Sequence, residues 1–198
     1  MLFVMILIAM MAVVVHSIEE TYTDPRPSIY LAQDVFLKMN TISGSNEFYM
    51  DIWMPTNHYV AISFGGTHIN SDMIVFVTNT GSDSLVYDMY SSEFGEPKFD
   101  DELVTTGDIE VREILAEYPL VKFSIARKLE TRDAHDYIVQ LEEVIEVGFA
   151  VRDDDILSRN SDGSIQEFGS HQRHGFFNMI LFKDETTSYW GIYAEGAV

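Results

Sequence analysis

The sequence contains no cysteine in its 198 residues. Disulfides, thiol nucleophiles and cysteine-ligated metal sites are therefore excluded. Small extracellular domains generally depend on disulfides, so this chain must be stabilised by its core alone. Because 46% of its residues are hydrophobic and 13% are aromatic, it is long and apolar enough for one ordinary domain.

Basic residues are also scarce, with 12 Lys and Arg against 32 Asp and Glu and a formal net charge of -20. Such a surface repels a phosphate backbone, so the composition excludes nucleic acid as a partner. Two interpretations of the acidity stay open. It is either a solvated face that keeps the protein soluble or a surface suited to a cationic partner.

Long hydrophobic runs are absent after the first 17 residues, "MLFVMILIAMMAVVVHS". This run is shorter than the ~20 residues of a membrane-spanning helix, and Val15 and Ser17 fit a signal-peptidase cleavage site. We interpret residues 1–17 as a secretory signal peptide, so the mature protein is expected to be extracellular and without a membrane span. The run has no Lys or Arg before its apolar part, which leaves an uncleaved N-terminal anchor as the alternative.

The mature protein is expected to begin at Ile18, because cleavage would follow Ser17. N-terminal sequencing of protein collected from the medium of secreting cells tests this expectation. A chain that starts at Met1 and stays in the membrane fraction would contradict cleavage and support the anchor.

Apolar residues recur with a period of two after a polar leader, residues 18–29. This alternation predicts antiparallel strands in "EFYMDIWM", "HYVAISFGG", "DMIVFVTN", "SLVYDMYS", "LVKFSIARKL", "DYIVQL", "VIEVGFAV" and "GFFNMILF". In the clearest of them, Val121, Phe123 and Ile125 are predicted to face the core. "DIEVREILAEYP" is compatible with either a helical turn or a strand. Many short strands joined by turns predict an all-β sandwich or barrel.

The loop "SRNSDGSIQEFG" partly follows the calcium loop of an EF-hand. Its first ligand position holds Ser158, and its last, which should supply a bidentate carboxylate, holds Gly169. The flanking residues are typical of strands, so we predict a hairpin turn without a metal. No serine lies in a nucleophile elbow, and no spacing indicates a hydrolytic triad.

Three of the six histidines lie next to apolar strands. His68 follows the diglycine of "FGGTHINSDMIVF", whereas His171 and His174 lie in "GSHQRHGFF" before the last strand. Loops of a sandwich meet at its ends, so these segments are predicted to converge at one end. Two neutral imidazoles that face each other across an apolar slot can hold a haem iron. A polar loop histidine without a ligand is the alternative for each.

Several motifs follow one another in the order "FYMDIWMP", "HYVAISFGG" with "THINSDMIVF", "VYDMYSSEFGEPKFDD", "VKFSIARKLETRDAHDYIV" and "HQRHG". This order closely resembles the DOMON domain family, which includes the N-terminal domain of dopamine beta-monooxygenase and the cytochrome domain of cellobiose dehydrogenase. The resemblance covers residues 30–183 and leaves a C-terminal tail, residues 184–198. It implies an immunoglobulin-like antiparallel β-sandwich that binds haem b or, in other members, a sugar or no cofactor.

The resemblance also implies the iron ligands. In haem-binding members these are a Met in the loop after the glycine motif and the His of an H-x-x-x-G motif near the last strand. The Met position falls on His68, so this chain departs from the usual residue but keeps a donor atom. The His position falls on His171, which Gly175 follows at the expected distance. Met73 and His174 are the fallback ligands.

The function that the resemblance implies is a secreted module that binds haem b and passes single electrons, with no catalytic activity of its own. Its partners would be haem and a redox or cell-surface protein. The alternative is a haem-free module that binds a sugar or a protein partner with the same loops.

Overall fold

A computed structural model describes residues 28–41, 44–65, 70–78, 84–92, 97–99, 108–117, 119–153, 157–159, 165–168 and 171–182. These residues form β-strands and connections and contain no α-helix, so none of them builds a helix that could cross a membrane. The proposed signal peptide, the proposed C-terminal tail and His68 lie outside the described residues.

Thirteen strands are found in the described part of the chain. In chain order they are β1 (Ile29–Ala32), β2 (Val35–Thr41), β3 (Glu47–Pro55), β4 (Tyr59–Phe64), β5 (Ser71–Val77), β6 (Leu85–Ser91), β7 (Lys98–Phe99), β8 (Ile109–Glu117), β9 (Leu120–Lys128), β10 (Val144–Arg152), β11 (Leu157–Arg159), β12 (Ile165–Phe168) and β13 (Arg173–Ile180).

The strands build two large antiparallel sheets and one small hairpin. The five-stranded sheet has the order β1-β2-β3-β9-β8, and the six-stranded sheet has the order β13-β10-β4-β5-β6-β7. Inward side chains of both sheets form one hydrophobic core between them, which makes the fold a β-sandwich. The predicted fold class is therefore confirmed.

The predicted alternation in β9 is confirmed by burial. Val121, Phe123 and Ile125 are 6%, 0% and 1% exposed, and all three belong to the core between the sheets. The ring of Phe123 meets that of Phe76 from the opposite sheet edge-on, with centroids 5.5 Å apart. Aromatic pairs prefer such tilted arrangements because the positive edge of one ring approaches the negative face of the other.

The ambiguous segment "DIEVREILAEYP" contributes β8, an edge strand of the five-stranded sheet. Its register against β9 shifts between Val111 and Glu113, so Arg112 is an extra residue in the ladder. A bulge of this kind reverses which side of the strand the following residues face. The period of two is therefore interrupted within the strand, which explains why the sequence pattern did not decide between helix and strand.

The prediction of a strand in "DYIVQL" is wrong. These residues lie in the connection between β9 and β10, and their backbone is bonded outside any sheet. The Tyr137 amide donates to the Asp72 carboxylate at 2.9 Å, and the Val139 amide donates to the Leu129 carbonyl at 2.8 Å. Val139 is only 3% exposed, so the apolar character of the segment reflects a loop that packs on the core.

The loop compared with an EF-hand is flanked by the β11–β12 hairpin, which confirms the predicted strand–turn–strand arrangement. Residues 160–164, which hold the turn itself, lie outside the described residues.

Candidate functional site

The outer face of the six-stranded sheet, which points away from the core, carries a strip of small side chains. In β4 and β10, Ala61 lies opposite Ala150 and Ser63 lies opposite Gly148. These four residues alternate with core residues such as Ile62, so they point away from the sandwich core. The middle of this sheet therefore carries only short side chains on its outer face, at the four positions of the small-residue strip (Ala61, Ser63, Gly148 and Ala150).

Larger apolar side chains border the strip on the side of β5 and β6. They form a second hydrophobic cluster, separate from the core, that consists of Tyr59, Met73, Val75, Val77 and Met89, with Ala61 and Tyr87 packed against it. Val75, Val77 and Met89 are at most 1% exposed, although they point away from the sandwich core. This outer cluster therefore provides a water-shielded environment of low polarity.

The other border of the strip is β13, the edge strand. His174 lies opposite Ala150, and Phe176 lies opposite Gly148. Both point to the outer face, because their neighbour Phe177 belongs to the core. The register thus places the small-residue strip between an imidazole and an aromatic ring on one side and thioether and aliphatic side chains on the other.

His171 lies directly before β13 and beside His174. The two imidazole centroids are 4.7 Å apart, and the rings are nearly perpendicular, at 68°. The next residue, Gln172, donates its backbone amide to the Val151 carbonyl at 3.0 Å, which ties this segment to the end of β10. The structure therefore brings together the predicted ligand His171 and its fallback His174.

Gly175 has a structural reason to be glycine. A Cβ at this position would lie 2.8 Å from two ring carbons of Phe149, which pairs with it across the β10–β13 ladder. Any side chain would displace the Phe149 ring, which packs against the core. The spacing of the H-x-x-x-G motif therefore allows β13 to pair closely with β10 while His171 stays at the start of the strand.

The diglycine loop (residues 65–70) joins β4 to β5 and contains His68, which lies outside the described residues. Gly65 begins the loop with a φ of 79°, a left-handed conformation that glycine adopts at little cost. Its amide donates to the Glu146 carbonyl at 3.4 Å. Met73, the fallback for His68, lies two residues into β5 within the outer cluster and is 6% exposed.

His171 and Gly65, the first residue of the diglycine loop, lie at opposite ends of the six-stranded sheet. His68 itself lies outside the described residues, so its convergence with His171 stays a prediction. Strands β4 and β13 both pair antiparallel with β10 and therefore run parallel to each other. Arg173 of β13 and Val60 of β4 both pair with Val151 of β10, so they lie at the same level of the sheet. The diglycine loop follows Phe64, four residues after Val60. Four residue steps, about 13 Å, separate these levels along the sheet.

A buried ion cluster, which we did not predict, links the two large sheets. Arg127 of β9 is 0% exposed and donates to the carboxylate of Asp72, the second residue of β5. Its Nη2 also lies 3.4 Å from Asp136 Oδ2. The guanidinium lies 5.9 Å and 5.8 Å from the ring centroids of Phe48 and Phe64. Opposite charges and aromatic faces together compensate for the cost of burying this cation.

A sequence signal for this cluster does exist. Arg127 has the same strand phase as Phe123 and Ile125, and Asp72 has the same phase as Ile74. A charged residue at an inward position of an alternating strand is costly unless it finds an opposite charge in the core. Two such positions of opposite sign, one on each sheet, predict a buried ion pair.

Comparison with known proteins agrees with this fold. Residues 31–152 match the family model of the DOMON domain. This match covers more than half of the chain, which therefore belongs to the DOMON domain family. No curated protein matches the sequence.

Two solved cytochrome domains have a similar structure. One is the cytochrome b domain of pyranose dehydrogenase from Coprinopsis cinerea, with a TM-score of 0.59, 15% identity, and coverage of 78% of this chain and 80% of that one. The other is the cytochrome domain of cellobiose dehydrogenase from Myriococcum thermophilum, with a TM-score of 0.62, 12% identity, and coverage of 87% and 97%. At these identities the similarity establishes a common fold.

Proposed function

We propose that this protein binds haem b on the outer face of the six-stranded sheet and passes single electrons. The observation that supports it most is the arrangement of that face. A water-shielded apolar cluster and the small-residue strip lie side by side on it, with His174 at the border on β13 and His171 beside His174. The family membership and the two cytochrome domains with the same fold point in the same direction.

The residues present fit this cofactor. A haem is flat and largely apolar, and the small-residue strip lies next to the apolar side chains of the outer cluster, among them Val75 and Met89. His68 and His171 would each supply one imidazole nitrogen to the iron.

The proposed axial ligands are His68 and His171, with Met73 and His174 as alternatives on the same face. When bound, haem supplies reversible one-electron exchange at its iron. The chain's own residues donate imidazole nitrogens, exclude water and set the polarity around the iron. A His in place of the family's Met favours a lower reduction potential, because a thioether ligand raises it.

The cellular setting belongs to the same proposal. Removal of residues 1–17 would deliver an extracellular protein with no catalytic activity of its own, which exchanges electrons with a separate redox protein or a small reductant. The outer face is half exposed at Phe176, and a redox partner would approach this part of the face.

Reconstitution of the mature protein with haemin tests the proposal. The wild type is expected to give a Soret band and the spectrum of low-spin, six-coordinate iron. His68→Ala and His171→Ala are each expected to lose that spectrum, because each removes one axial donor. His135→Ala is the matched control, since the His135 side chain is 49% exposed and stacks on Tyr90 away from the outer face.

Other outcomes reassign or overturn the site. Loss of the spectrum in His174→Ala, with His171→Ala unchanged, would move the second ligand by three residues. Loss in Met73→Ala, with His68→Ala unchanged, would move the first ligand into β5. A wild type that takes up no haemin, under conditions that load a DOMON cytochrome, would overturn the electron-transfer function and favour a haem-free binding module.

A further inference from the structure

Arg152, the last residue of β10, brings a positive charge to the outer face of the six-stranded sheet. We propose that Arg152 binds a carboxylate of the ligand on this face, namely a propionate side chain of haem, and this inference rests on the proposed function. Its role is to select a ligand that carries a carboxylate and to fix the orientation of that ligand on the sheet. This role is separate from that of the axial histidines.

The phase of β10 directs the Arg152 side chain to the outer face. Val151, the residue before it, belongs to the core between the sheets and is 2% exposed. Because the side chains of a strand alternate between its two sides, Arg152 shares the outer side with Ala150 of the small-residue strip. Two residues of an extended strand span about 7 Å, so Arg152 lies one step beyond the strip.

The surroundings of Arg152 on this face are largely apolar. It lies opposite Tyr59 of β4, which in turn lies opposite Val77 of β5, and both of these residues belong to the outer cluster. Arg152 itself is only 8% exposed. Electrostatic interactions are stronger where water is excluded, so a carboxylate bound here is held more firmly than one at an open surface.

A cation in this position needs an explanation. The chain has 12 basic residues against 32 acidic ones, and a buried cation is costly unless it is bonded to polar or anionic groups. Among the described residues of this face, its neighbours Ala150 and Tyr59 carry no charge. Arg152 has a partner within the chain, but a guanidinium offers five N–H donors, so one contact leaves donors for a carboxylate.

Haem combines the two properties that this part of the face selects, which are a large apolar surface and carboxylate groups. Arginine binds a carboxylate through two parallel N–H···O bonds, so it gives orientation as well as affinity. The imidazoles lie at the same end of the sheet, since His174 is opposite Ala150 and the Gln172 amide donates to the Val151 carbonyl. Guanidinium and imidazoles are therefore close enough to act on one ligand.

Comparison of haemin with its dimethyl ester tests this role. The ester keeps the ring and the iron but lacks the negative charges of the propionates. The variant is Arg152→Gln, which removes the positive charge and keeps a polar side chain. Arg173→Gln is the matched control, because Arg173 pairs with Val151 at the same end of the sheet but is 52% exposed and lies 3.4 Å from Asp153.

Arg152→Gln is expected to bind haemin about 10- to 100-fold more weakly than the wild type, which is the usual effect of losing a hydrogen bond to a charged group. Its affinity for the dimethyl ester is expected to equal that of the wild type. Titrations followed by quenching of tryptophan fluorescence measure both dissociation constants. The low-spin spectrum should persist in haemin-loaded Arg152→Gln, since the axial ligands are unchanged. Arg173→Gln should match the wild type with both ligands.

Other outcomes separate this inference from the proposed function. An equal loss of affinity for haemin and for the ester would mean that Arg152 only supports the fold, and no loss for either would mean that it does not contact the ligand. Both results overturn the inference and leave haem binding intact. If the wild type takes up no haemin, the proposed function fails and this role fails with it.

A second variant covers the case in which glutamine prevents folding. Arg152→Lys keeps the positive charge but lacks the planar fork of the guanidinium. It is expected to lose part of the wild-type preference for haemin over the dimethyl ester. An unchanged preference in Arg152→Lys would overturn the inference.

Discussion

Replacing Arg127 with methionine is expected to lower the free energy of unfolding by about 3–5 kcal/mol. The guanidinium is the cation facing two buried carboxylates, those of Asp72 and Asp136, whose side chains are 1% and 4% exposed. Methionine fills much of the volume of the arginine side chain, but it leaves the two carboxylates in the core without the guanidinium. An uncompensated buried charge costs more than the ion pair contributes, so the variant loses a large part of an ordinary domain's stability.

Urea denaturation followed by circular dichroism measures this difference. The matched control is Arg112→Met on the edge strand β8, where the side chain is 41% exposed and its ion pairs with Glu47 and Glu110 are 3.5 Å and 3.3 Å long. Surface pairs of this kind contribute about 0–1 kcal/mol. Equal effects of the two substitutions would mean that Arg127 is not the buried partner of Asp72.

Phe123→Ala is expected to lower the free energy of unfolding by about 3–5 kcal/mol. The ring is 0% exposed and packs between the sheets against Phe76. Its removal leaves a cavity that neighbours from two rigid sheets fill only in part, so the lost contacts are not regained. The chain has no disulfide, so no covalent cross-link restricts the unfolded state and offsets this loss of stability.

Thermal or urea denaturation of the purified variant tests this expectation. Tyr30→Ala is the control, because this ring on β1 is 71% exposed and contacts Phe36 at 5.5 Å between centroids. Its loss is expected to cost at most about 1 kcal/mol. A Phe123→Ala variant that unfolds at the wild-type midpoint would mean that the inward face of β9 is assigned the wrong way round.

The strands were largely predictable because alternation is a local signal. Burial of one face of a strand forces a period of two, and β4, β5, β9 and β10 carry it clearly. The pattern does not record where backbone groups are bonded, which is why "DYIVQL" looked like a strand. Nor does it anticipate a bulge, which is why β8 stayed ambiguous.

The candidate site was predictable only in part. His171 and His174 are close in sequence and therefore close in space, and the H-x-x-x-G spacing marked them. Their position relative to the diglycine loop depends on strand order and register, which are set by pairing between distant parts of the chain. The bond from the Tyr137 amide to Asp72 was missed for the same reason, since the two residues are 65 positions apart.

The placement of His171 at the far end of the sheet from the diglycine loop has a consequence for a chain without cysteine. In the haem-bound form that we propose, iron would join residues about 100 positions apart, as a disulfide does in domains that contain cysteine. Closing a loop of that length removes about 4–5 kcal/mol of conformational entropy from the unfolded chain, if the bond persists there. Iron coordination would also tie edge strand β13, which pairs only with β10 among the described strands, to the segment between β4 and β5. The cofactor would then act as a reversible cross-link, which forms when haem binds and is lost when haem dissociates.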